Sequence, residues 1–96
     1  MPNLYRRGRI AERKIVNDLS DKGFENIRRS AGSRGPADVY ACKDGRKYYF
    51  QVKSGSAKAS VEEIEQLRKL AQQRGGTAVT IHRKDGRNRW RFHGSW

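Results

Sequence analysis

Apolar residues recur at helical spacing in the first quarter of the chain. Over residues 7–22 they share one face of a helix, and the positions between them carry charged and polar side chains. Gly23 follows as a stop signal, because glycine readily adopts the left-handed conformation that ends many helices. The pattern predicts an amphipathic first helix whose buried side carries Ile15, Val16 and Leu19.

A second helical pattern covers residues 60–74. Ser60 and Glu63 are spaced as a capping box, in which the serine side chain and the glutamate carboxylate satisfy backbone amides that the helix leaves unpaired. Gly75 and Gly76 end the pattern. The predicted buried side of this helix consists of Val61, Ile64, Leu67, Leu70 and Ala71.

Alternating apolar and polar positions between the two helices predict three strands. A short strand covers residues 24–29, and two longer ones, 38–42 and 47–53, flank an Asp-Gly turn that favours an antiparallel hairpin. The alternation gives the third strand two faces, with Tyr48, Phe50 and Val52 against Tyr49, Gln51 and Lys53. Gln51 and Lys53 are therefore predicted to point the same way.

The region after the second helix reads as another hairpin. Residues 77–82 and 89–93 flank a second Lys-Asp-Gly-Arg turn. The predicted order of elements is αβββαββ, in one domain spanning residues 1–96.

A chain of 96 residues removes only about two-thirds of its unfolded surface from water, so we expect modest stability unless the protein dimerises. Hydrophobic residues make up 34% of the chain, which allows a packed core.

Charge is the strongest signal in the composition. The chain carries 22 Lys and Arg against 10 Asp and Glu, a formal net charge of +12, and the basic residues are scattered rather than confined to a tail. Neutralising phosphates releases condensed counterions and supplies affinity that does not depend on sequence, so nucleic acid is the first partner to expect. The alternatives to a protein that acts on nucleic acid are a basic protein that is merely soluble and one that associates with the ribosome.

Other classes of protein are excluded by the remaining composition. The lone Cys42 allows no internal disulfide and no thiolate zinc site within one chain, and we expect it to serve packing. The sequence shows no signal peptide and no apolar run near the ~20 residues of a membrane span, which predicts a cytoplasmic protein with no membrane partner. His82 and His93 are interpreted as strand residues and not as ligands.

Glu12 is the first of two carboxylates that local structure does not explain. The others lie in tight turns, in the first turn of the second helix or on polar faces. Glu12 precedes Ile15, Val16 and Leu19 by three, four and seven positions, which puts it within the apolar side of the first helix. An unpaired buried carboxylate is unfavourable, so Glu12 must be protonated, paired with an arginine or placed near a cation.

Asp38 is the second unexplained carboxylate. It follows a Gly-Pro-Ala sequence at the start of the second strand, where it caps a turn or projects from the sheet edge into a cleft. If the hairpin pairs around its Asp-Gly turn, the start of the second strand lies near the end of the third. That pairing brings Asp38 next to Gln51 and Lys53.

These candidate residues follow one another in a set order. Glu12 lies on a first helix, Asp38 at a strand start and, after twelve intervening residues, Gln51-Val52-Lys53 ends the next strand. With the αβββαβ order, this pattern resembles the PD-(D/E)xK nuclease superfamily, and most closely its small archaeal Holliday junction resolvase-like members. The likeness covers roughly residues 6–71, including an Arg-Gly-x-x-x-Glu-Arg opening and a Ser-Ala-Gly-Ser loop. The proline of the usual motif is shifted by one residue, and Gln51 stands where an acid is usual, although some superfamily members also carry Gln there.

The resemblance implies a restriction-endonuclease-like core, with a central mixed sheet flanked by helices. It implies a metal-dependent endonuclease that hydrolyses DNA at four-way (Holliday) junctions or other branched DNA, with Glu12, Asp38, Gln51 and Lys53 as catalytic residues. Mg²⁺, or Mn²⁺ in its place, would be held by Asp38, the Gln51 amide oxygen, the Val52 backbone carbonyl, and Glu12 directly or through water. Lys53 would orient or help deprotonate the attacking water and offset charge on the phosphate.

Residues that flank this site are predicted to contact DNA. The basic ones are Arg6, Arg7, Arg9, Arg28, Arg29, Arg34 and Lys58. The resemblance adds Ser30 and Ser33, because the resolvases that this chain resembles contact the cleaved strand with that loop. Solvated surface charge or turn chemistry explains any one of them equally well. The resemblance also implies a homodimer, because a two-fold junction suits a two-fold protein. Candidate dimer surfaces are the Trp90-Arg91-Phe92 segment and Trp96, with strand core and loose tail as the alternatives.

Two other functions fit the same sequence. A non-catalytic DNA-binding module on the same fold would treat Gln51 as the mark of a decayed active site. A restriction or repair nuclease would act on duplex, mismatched or RNA-containing substrates. The sequence does not separate these functions, because substrate choice depends on loop geometry and dimer spacing.

Overall fold

The computed structural model describes residues 4–29 and 36–96, with side chains from residue 13 onward within those ranges. The elements in the described residues are α1 (Leu4–Asp21), β1 (Glu25–Arg29), β2 (Val39–Lys43), β3 (Arg46–Ser54), α2 (Val61–Arg74), β4 (Thr77–Lys84) and β5 (Arg87–Ser95). The predicted αβββαββ order is confirmed. The observed boundaries differ from the predicted ones by no more than three residues.

The described strands form one mixed sheet in the order β1-β2-β3-β4-β5. β3 and β4 are parallel, and every other neighbouring pair is antiparallel. A parallel pair needs a crossover connection, and α2 supplies it between β3 and β4. The arrangement confirms the predicted α+β class with a central mixed sheet.

Both predicted Asp-Gly turns close antiparallel hairpins. Asp44 and Gly45 have φ values of 52° and 76°, and Asp85 and Gly86 have 53° and 74°. Positive φ at both central positions gives the twist that two-residue hairpins require, and Asp and Gly tolerate it better than most residues. The first turn fixes the β2–β3 register, which in turn sets the position of Asp38.

The two helices pack on opposite faces of the sheet. Ile15 and Leu19 of α1 are fully buried in one cluster with Phe50 of β3. Leu67 and Ala71 of α2 are buried in a second cluster that includes Tyr49. Neighbouring residues of β3 therefore face different helices, as the alternation in the sequence predicts.

The helix α2 begins and ends as its sequence predicts. Ser60 is the N-cap of a complete capping box with Glu63, and Gly75 adopts the left-handed conformation at the C-cap, with φ 66°. The predicted buried side is wrong at Val61, which is 78% exposed. The apolar period extends back to Val61, but the helix is in contact with the sheet only from about one turn later, where Ile64 is half-buried and Leu67 buried.

The aromatic residues near the end of the chain have different surroundings. The Trp90 ring packs edge-on against Phe50 at 5.6 Å between centroids, which agrees with the strand-core interpretation. Phe92 is exposed. Trp96 is held by a hydrogen bond from its N–H to the Gly76 carbonyl, 2.9 Å long, and the Arg68 guanidinium lies over its ring. The loose-tail interpretation of Trp96 is therefore wrong.

Gly76 lies against β3 at a point where there is no room for a larger residue. A Cβ atom added there would overlap the Tyr49 ring and stand 2.9 Å from the Lys47 carbonyl oxygen. We therefore expect Gly76→Ala to lower the free energy of unfolding by about 1–3 kcal/mol, the usual cost of overpacking. Urea unfolding measures the change. Ser56→Ala, at an exposed connector position, is the control and should stay within about 0.5 kcal/mol of wild type; equal midpoints for the two variants would contradict the close approach.

Candidate active site

Asp38 stands immediately before β2 and is bonded twice to β3. Its backbone N–H donates to the Phe50 carbonyl at 2.8 Å, and its carboxylate Oδ2 accepts from the Val52 N–H at 2.8 Å. Because β2 pairs with β3 only from Val39 onward, the carboxylate occupies the position that a further β2 residue would have taken in the ladder. Asp38 is therefore fixed beside Val52, whose chain neighbours are Gln51 and Lys53.

The surroundings of Asp38 disfavour its negative charge. Burial raises the pKa of Asp38 above its ordinary value. The Val52 amide and the Lys53 ammonium lower this pKa, whereas the Glu63 carboxylate raises it further. The ionised carboxylate is thus incompletely compensated, and a nearby cation would stabilise it.

Glu63 of α2 contacts the two polar residues that β3 presents on the face covered by α2. Its Oε2 accepts a hydrogen bond from Gln51 Nε2 at 2.8 Å and lies 2.8 Å from Lys53 Nζ. One carboxylate oxygen therefore holds both side chains. Their shared partner shows that Gln51 and Lys53 point the same way, as the sequence predicts.

The other oxygen of Glu63 belongs to the helix cap. Oε1 accepts from the Ser60 N–H at 3.1 Å, and the Ser60 hydroxyl accepts from the Glu63 N–H at 3.1 Å. The hydrogen bond from Lys53 is the main cause that lowers the pKa of Glu63, and the Ser60 amide lowers it further. Glu63 is therefore ionised at neutral pH, and it ties the start of α2 to the end of β3.

The amide oxygen of Gln51 is buried and unsatisfied. Gln51 is 6% exposed, and its Oε1 has no hydrogen-bond partner among the described residues. The reverse orientation of the amide would set two acceptor oxygens against each other at Glu63, so the observed orientation is the favourable one. An unsatisfied buried acceptor costs about 1–3 kcal/mol, and a bound cation would offset that cost.

A third oxygen donor is the backbone carbonyl of Val52. The amide and the carbonyl of one strand residue point to the same side of the strand. The Val52 amide points to Asp38, on the side where β2 has ended, so its carbonyl also lies on that side and not against β4. The Asp38 carboxylate and the Val52 carbonyl thus lie on the same side of β3, and Gln51 is the preceding residue of that strand.

These donors fit a hard divalent cation. Mg²⁺ prefers oxygen ligands, keeps several waters and needs only one or two carboxylates. Among the residues whose side chains are described, no group of three or more His, Cys, Asp or Glu could hold a metal ion. The oxygen donors that the described residues offer to a cation are therefore the Asp38 carboxylate, the Gln51 amide oxygen and the Val52 carbonyl.

Comparison with known proteins bears on the family and the fold of this chain. The family model described as archaeal Holliday junction resolvase (Hjc) matches residues 3–95. The chain belongs to the archaeal Holliday junction resolvase family. It is also similar to the solved structure of Archaeoglobus fulgidus Hjc, a Holliday junction resolvase from an archaeal hyperthermophile, with 28% sequence identity and a TM-score of 0.73. The similarity covers 90% of this chain and 70% of that one, and it confirms the restriction-endonuclease-like fold.

Glu12, the remaining predicted ligand in this resolvase family member, lies in α1. Its side chain is outside the described part of the structure, so its role in the site stays a prediction. α1 packs on the face opposite α2.

The predicted DNA contacts of the resolvase family member divide into three groups. Arg28 and Arg29 are exposed on β1, where Arg29 pairs with Val39 beside Asp38, and Lys58 is exposed in the connector before α2. Three arginines lie in α1 without described side chains: Arg6, Arg7 and Arg9. The other three predicted contacts lie outside the described residues: Ser30, Ser33 and Arg34. All of these contacts stay predictions.

Glu63 is the site residue that the sequence did not reveal. Its spacing from Ser60 already explains it as part of a capping box, so it was not among the unexplained carboxylates. The available signal was the short connector of residues 55–60, which returns the start of α2 to the end of β3.

Neither helix in the described part of the chain combines the length and the apolar character that a membrane span requires.

Proposed function

We propose that this protein hydrolyses DNA phosphodiesters at four-way junctions with a divalent metal ion held by Asp38 and Gln51. As a member of the archaeal Holliday junction resolvase family, it is a junction-cleaving nuclease of DNA recombination and repair. The metal dependence is supported by one observation above all, the buried and unpaired Oε1 of Gln51, which precedes in the strand the residue that donates to the incompletely compensated Asp38.

The proposed ion is Mg²⁺, and Mn²⁺ would substitute for it. When bound, such an ion polarises the scissile phosphate and lowers the pKa of the attacking water. Asp38 would contribute the negative charge to its coordination, and Gln51 and Val52 neutral oxygens. Glu12 would add a second negative charge directly or through water. Because the described donors carry little charge, we expect the free protein to bind the ion weakly and the DNA phosphate to strengthen binding.

Lys53 is the proposed partner of the attacking water and of the developing negative charge on the phosphate. An ammonium group has three N–H donors, and the contact with Glu63 uses one of them. The side chain is 27% exposed, so the other two are within reach of substrate. Fixed donors aimed at developing charge are among the largest contributions to catalysis.

Cleavage of a branched substrate at two symmetric positions concerns the assembly of the protein and its contact with DNA. We propose a homodimer of single nuclease-like domains, each spanning residues 1–96, because two symmetric cuts require two copies of the site. A formal net charge of +12 supports extended contact with DNA phosphates. The proposed location is the cytoplasm, the compartment predicted from the sequence.

A cleavage assay on three substrates tests this proposal. A four-way junction, a duplex and a single strand would each be incubated with protein in Mg²⁺, in Mn²⁺ and in EDTA. We expect the junction to be cut in both metals and not in EDTA. Junction binding without cutting in either metal would favour the non-catalytic module. Equal cutting of the duplex would favour a restriction or repair nuclease.

A further inference from the structure

We infer that Glu63 is a positioning residue of the active site: it supplies from α2 the negative charge that Gln51 lacks, and it holds the Gln51 amide and the Lys53 ammonium in place. This inference deepens the proposed function and rests on its metal dependence. It follows from three features of the described residues.

The first feature is the orientation of the Gln51 amide. Glu63 accepts from Nε2, so Oε1 must point away from α2 and into the space where it has no described partner. Without Glu63, nothing else in the described contacts fixes which end of this amide faces that space. An amide that turned round would present N–H donors to a cation and could not bind it.

The second feature is the position of the Lys53 charge. An ammonium group near a divalent cation repels it, and a carboxylate next to the ammonium offsets that repulsion. Glu63 stands 2.8 Å from Lys53 Nζ through the same oxygen that binds Gln51. The carboxylate therefore allows the lysine and a cation to share one site.

The third feature is that the helix cap does not require a carboxylate. The capping box engages Oε1 of Glu63 alone, and glutamine serves in that role as well as glutamate does. The two contacts of Oε2 are therefore additional to the cap. A glutamine in place of Glu63 could not keep both these contacts and the cap, because its amide has one acceptor oxygen and no negative charge for Lys53.

The test is to exchange the two side chains and measure Mn²⁺ binding by calorimetry on metal-free protein. Glu63→Gln should weaken Mn²⁺ binding about 10-fold or more, as loss of a supporting residue around a metal typically does. Gln51→Glu should strengthen Mn²⁺ binding. The exchanged pair Gln51→Glu/Glu63→Gln should recover at least wild-type affinity, because it returns one carboxylate and one amide to the site.

A second measurement and a control separate this role from a structural one. In metal-free protein, the NMR signals of the Gln51 side-chain amide should move in Glu63→Gln, because the bond to the carboxylate is lost. Ser60→Ala removes half of the capping box and leaves Oε2 in place, so it should lower stability and keep Mn²⁺ affinity.

The possible results distinguish this inference from the proposed function. If Glu63→Gln binds Mn²⁺ as wild type does, or the exchanged pair binds no better than Glu63→Gln, the positioning role is wrong. If Ser60→Ala weakens Mn²⁺ binding as much as Glu63→Gln, the effect belongs to the helix cap. If wild type binds no Mn²⁺, the metal dependence itself fails.

A different observation carries a second proposal, that a basic cavity beside the β4–β5 turn binds the DNA backbone next to the cleaved phosphate. The cavity measures about 630 Å³, and we call it the hairpin cavity. It is lined by Lys58, His82, Lys84, Asp85, Arg87 and Arg89. Of these residues, only Lys58 was predicted from the sequence to contact DNA.

The hairpin cavity lies next to the active site on the same face of the sheet. His82 of β4 is the register partner of Lys53 of β3, and directly paired residues share a face. The His82 ring donates from Nε2 to the Gly55 carbonyl at 2.8 Å, which holds the connector against β4. A DNA strand that leaves Lys53 in the direction of the β4–β5 turn would therefore run over the cavity.

The charge of the cavity fits a polyanion. Four cations, Lys58, Lys84, Arg87 and Arg89, surround one carboxylate, Asp85, so the formal charge of the lining is 4 − 1 = +3 with the histidine neutral. In the described residues, none of the four cations forms a salt bridge with a carboxylate. Phosphates would supply the charges that the cavity lacks.

The test compares two double variants with the same loss of charge. Arg87→Ala/Arg89→Ala should reduce the slope of log junction affinity against log salt by about 2, roughly one for each lost phosphate contact. Arg46→Ala/Lys69→Ala, at exposed positions away from the cavity, should change it by less than about 0.5. Equal changes in both variants would overturn the proposal. Binding is measured in EDTA, so the result does not depend on whether the protein cuts.

Discussion

Asp38→Asn is expected to abolish junction cleavage and to leave junction binding in place. The substitution removes the negative charge that would hold the cation, yet the amide oxygen can still accept the Val52 N–H. We expect the single-turnover cleavage rate in Mg²⁺ to fall at least about 10²–10³-fold, the range seen when a charge-stabilising group is removed from an active site. Binding in EDTA should match wild type. A variant that cuts at a rate close to wild type would exclude Asp38 from catalysis.

The same substitution should stabilise the metal-free protein. Because burial raises the pKa of Asp38 in the folded state, ionisation of this group costs stability. The cost is fully present above the folded-state pKa and disappears as the pH falls below the unfolded-state value. Asp38→Asn removes it, so the variant should melt at a higher temperature than wild type at pH 7, and the difference should shrink in acid. A lower melting temperature at pH 7 would mean that the carboxylate is structural.

Lys53→Met is expected to have the second largest effect, a loss of about 10²–10³-fold in cleavage rate. Methionine keeps much of the side-chain length but has no N–H donor for the water or the phosphate. Glu63 would keep its bonds to Gln51 and Ser60, so the fold around the site should survive. The measurement is the single-turnover rate at saturating metal, which separates catalysis from metal affinity.

The control for that experiment is a lysine with the same charge on a neighbouring surface. Lys69 is exposed on α2, away from the Glu63 end of the helix. Lys69→Met should cut at the wild-type rate. If both lysine variants lose activity equally, Lys53 acts through overall charge and has no specific place in the site.

Much of the fold could be predicted because its signals are local. The Asp-Gly turns, the Ser60 capping box and the glycine at the end of α2 each depend on a few neighbouring residues, and all three are confirmed. The position of Asp38 also followed from local rules, since the first turn fixes the β2–β3 register. A two-residue turn therefore located the carboxylate beside Gln51 and Lys53.

The contribution of α2 to the site could not be predicted in this way. Glu63 meets Gln51 and Lys53 only because the connector returns α2 over the end of β3, which is a tertiary property. A local reason for Glu63 was already present in the capping box, so its second role gave no separate signal. The exposure of Val61 was hidden for a related reason, because helical periodicity does not say where a helix leaves the sheet.

The contact with Glu63 changes the interpretation of the neutral residue Gln51. Read from the sequence, a neutral residue at an acidic position indicates either a weak metal site or a decayed one. In the structure, the amide donates to a carboxylate and leaves its buried oxygen unpaired. The negative charge usual at this position is thus present nearby, on α2 and not on β3.

Calorimetric titration of Mn²⁺ into metal-free wild type and Asp38→Asn tests the metal centre most directly. We expect about one Mn²⁺ per chain in wild type and no measurable binding in the variant, because Asp38 is the charged donor described at the site. Equal heats and affinities for the two proteins would show that the metal does not bind between Asp38 and Gln51.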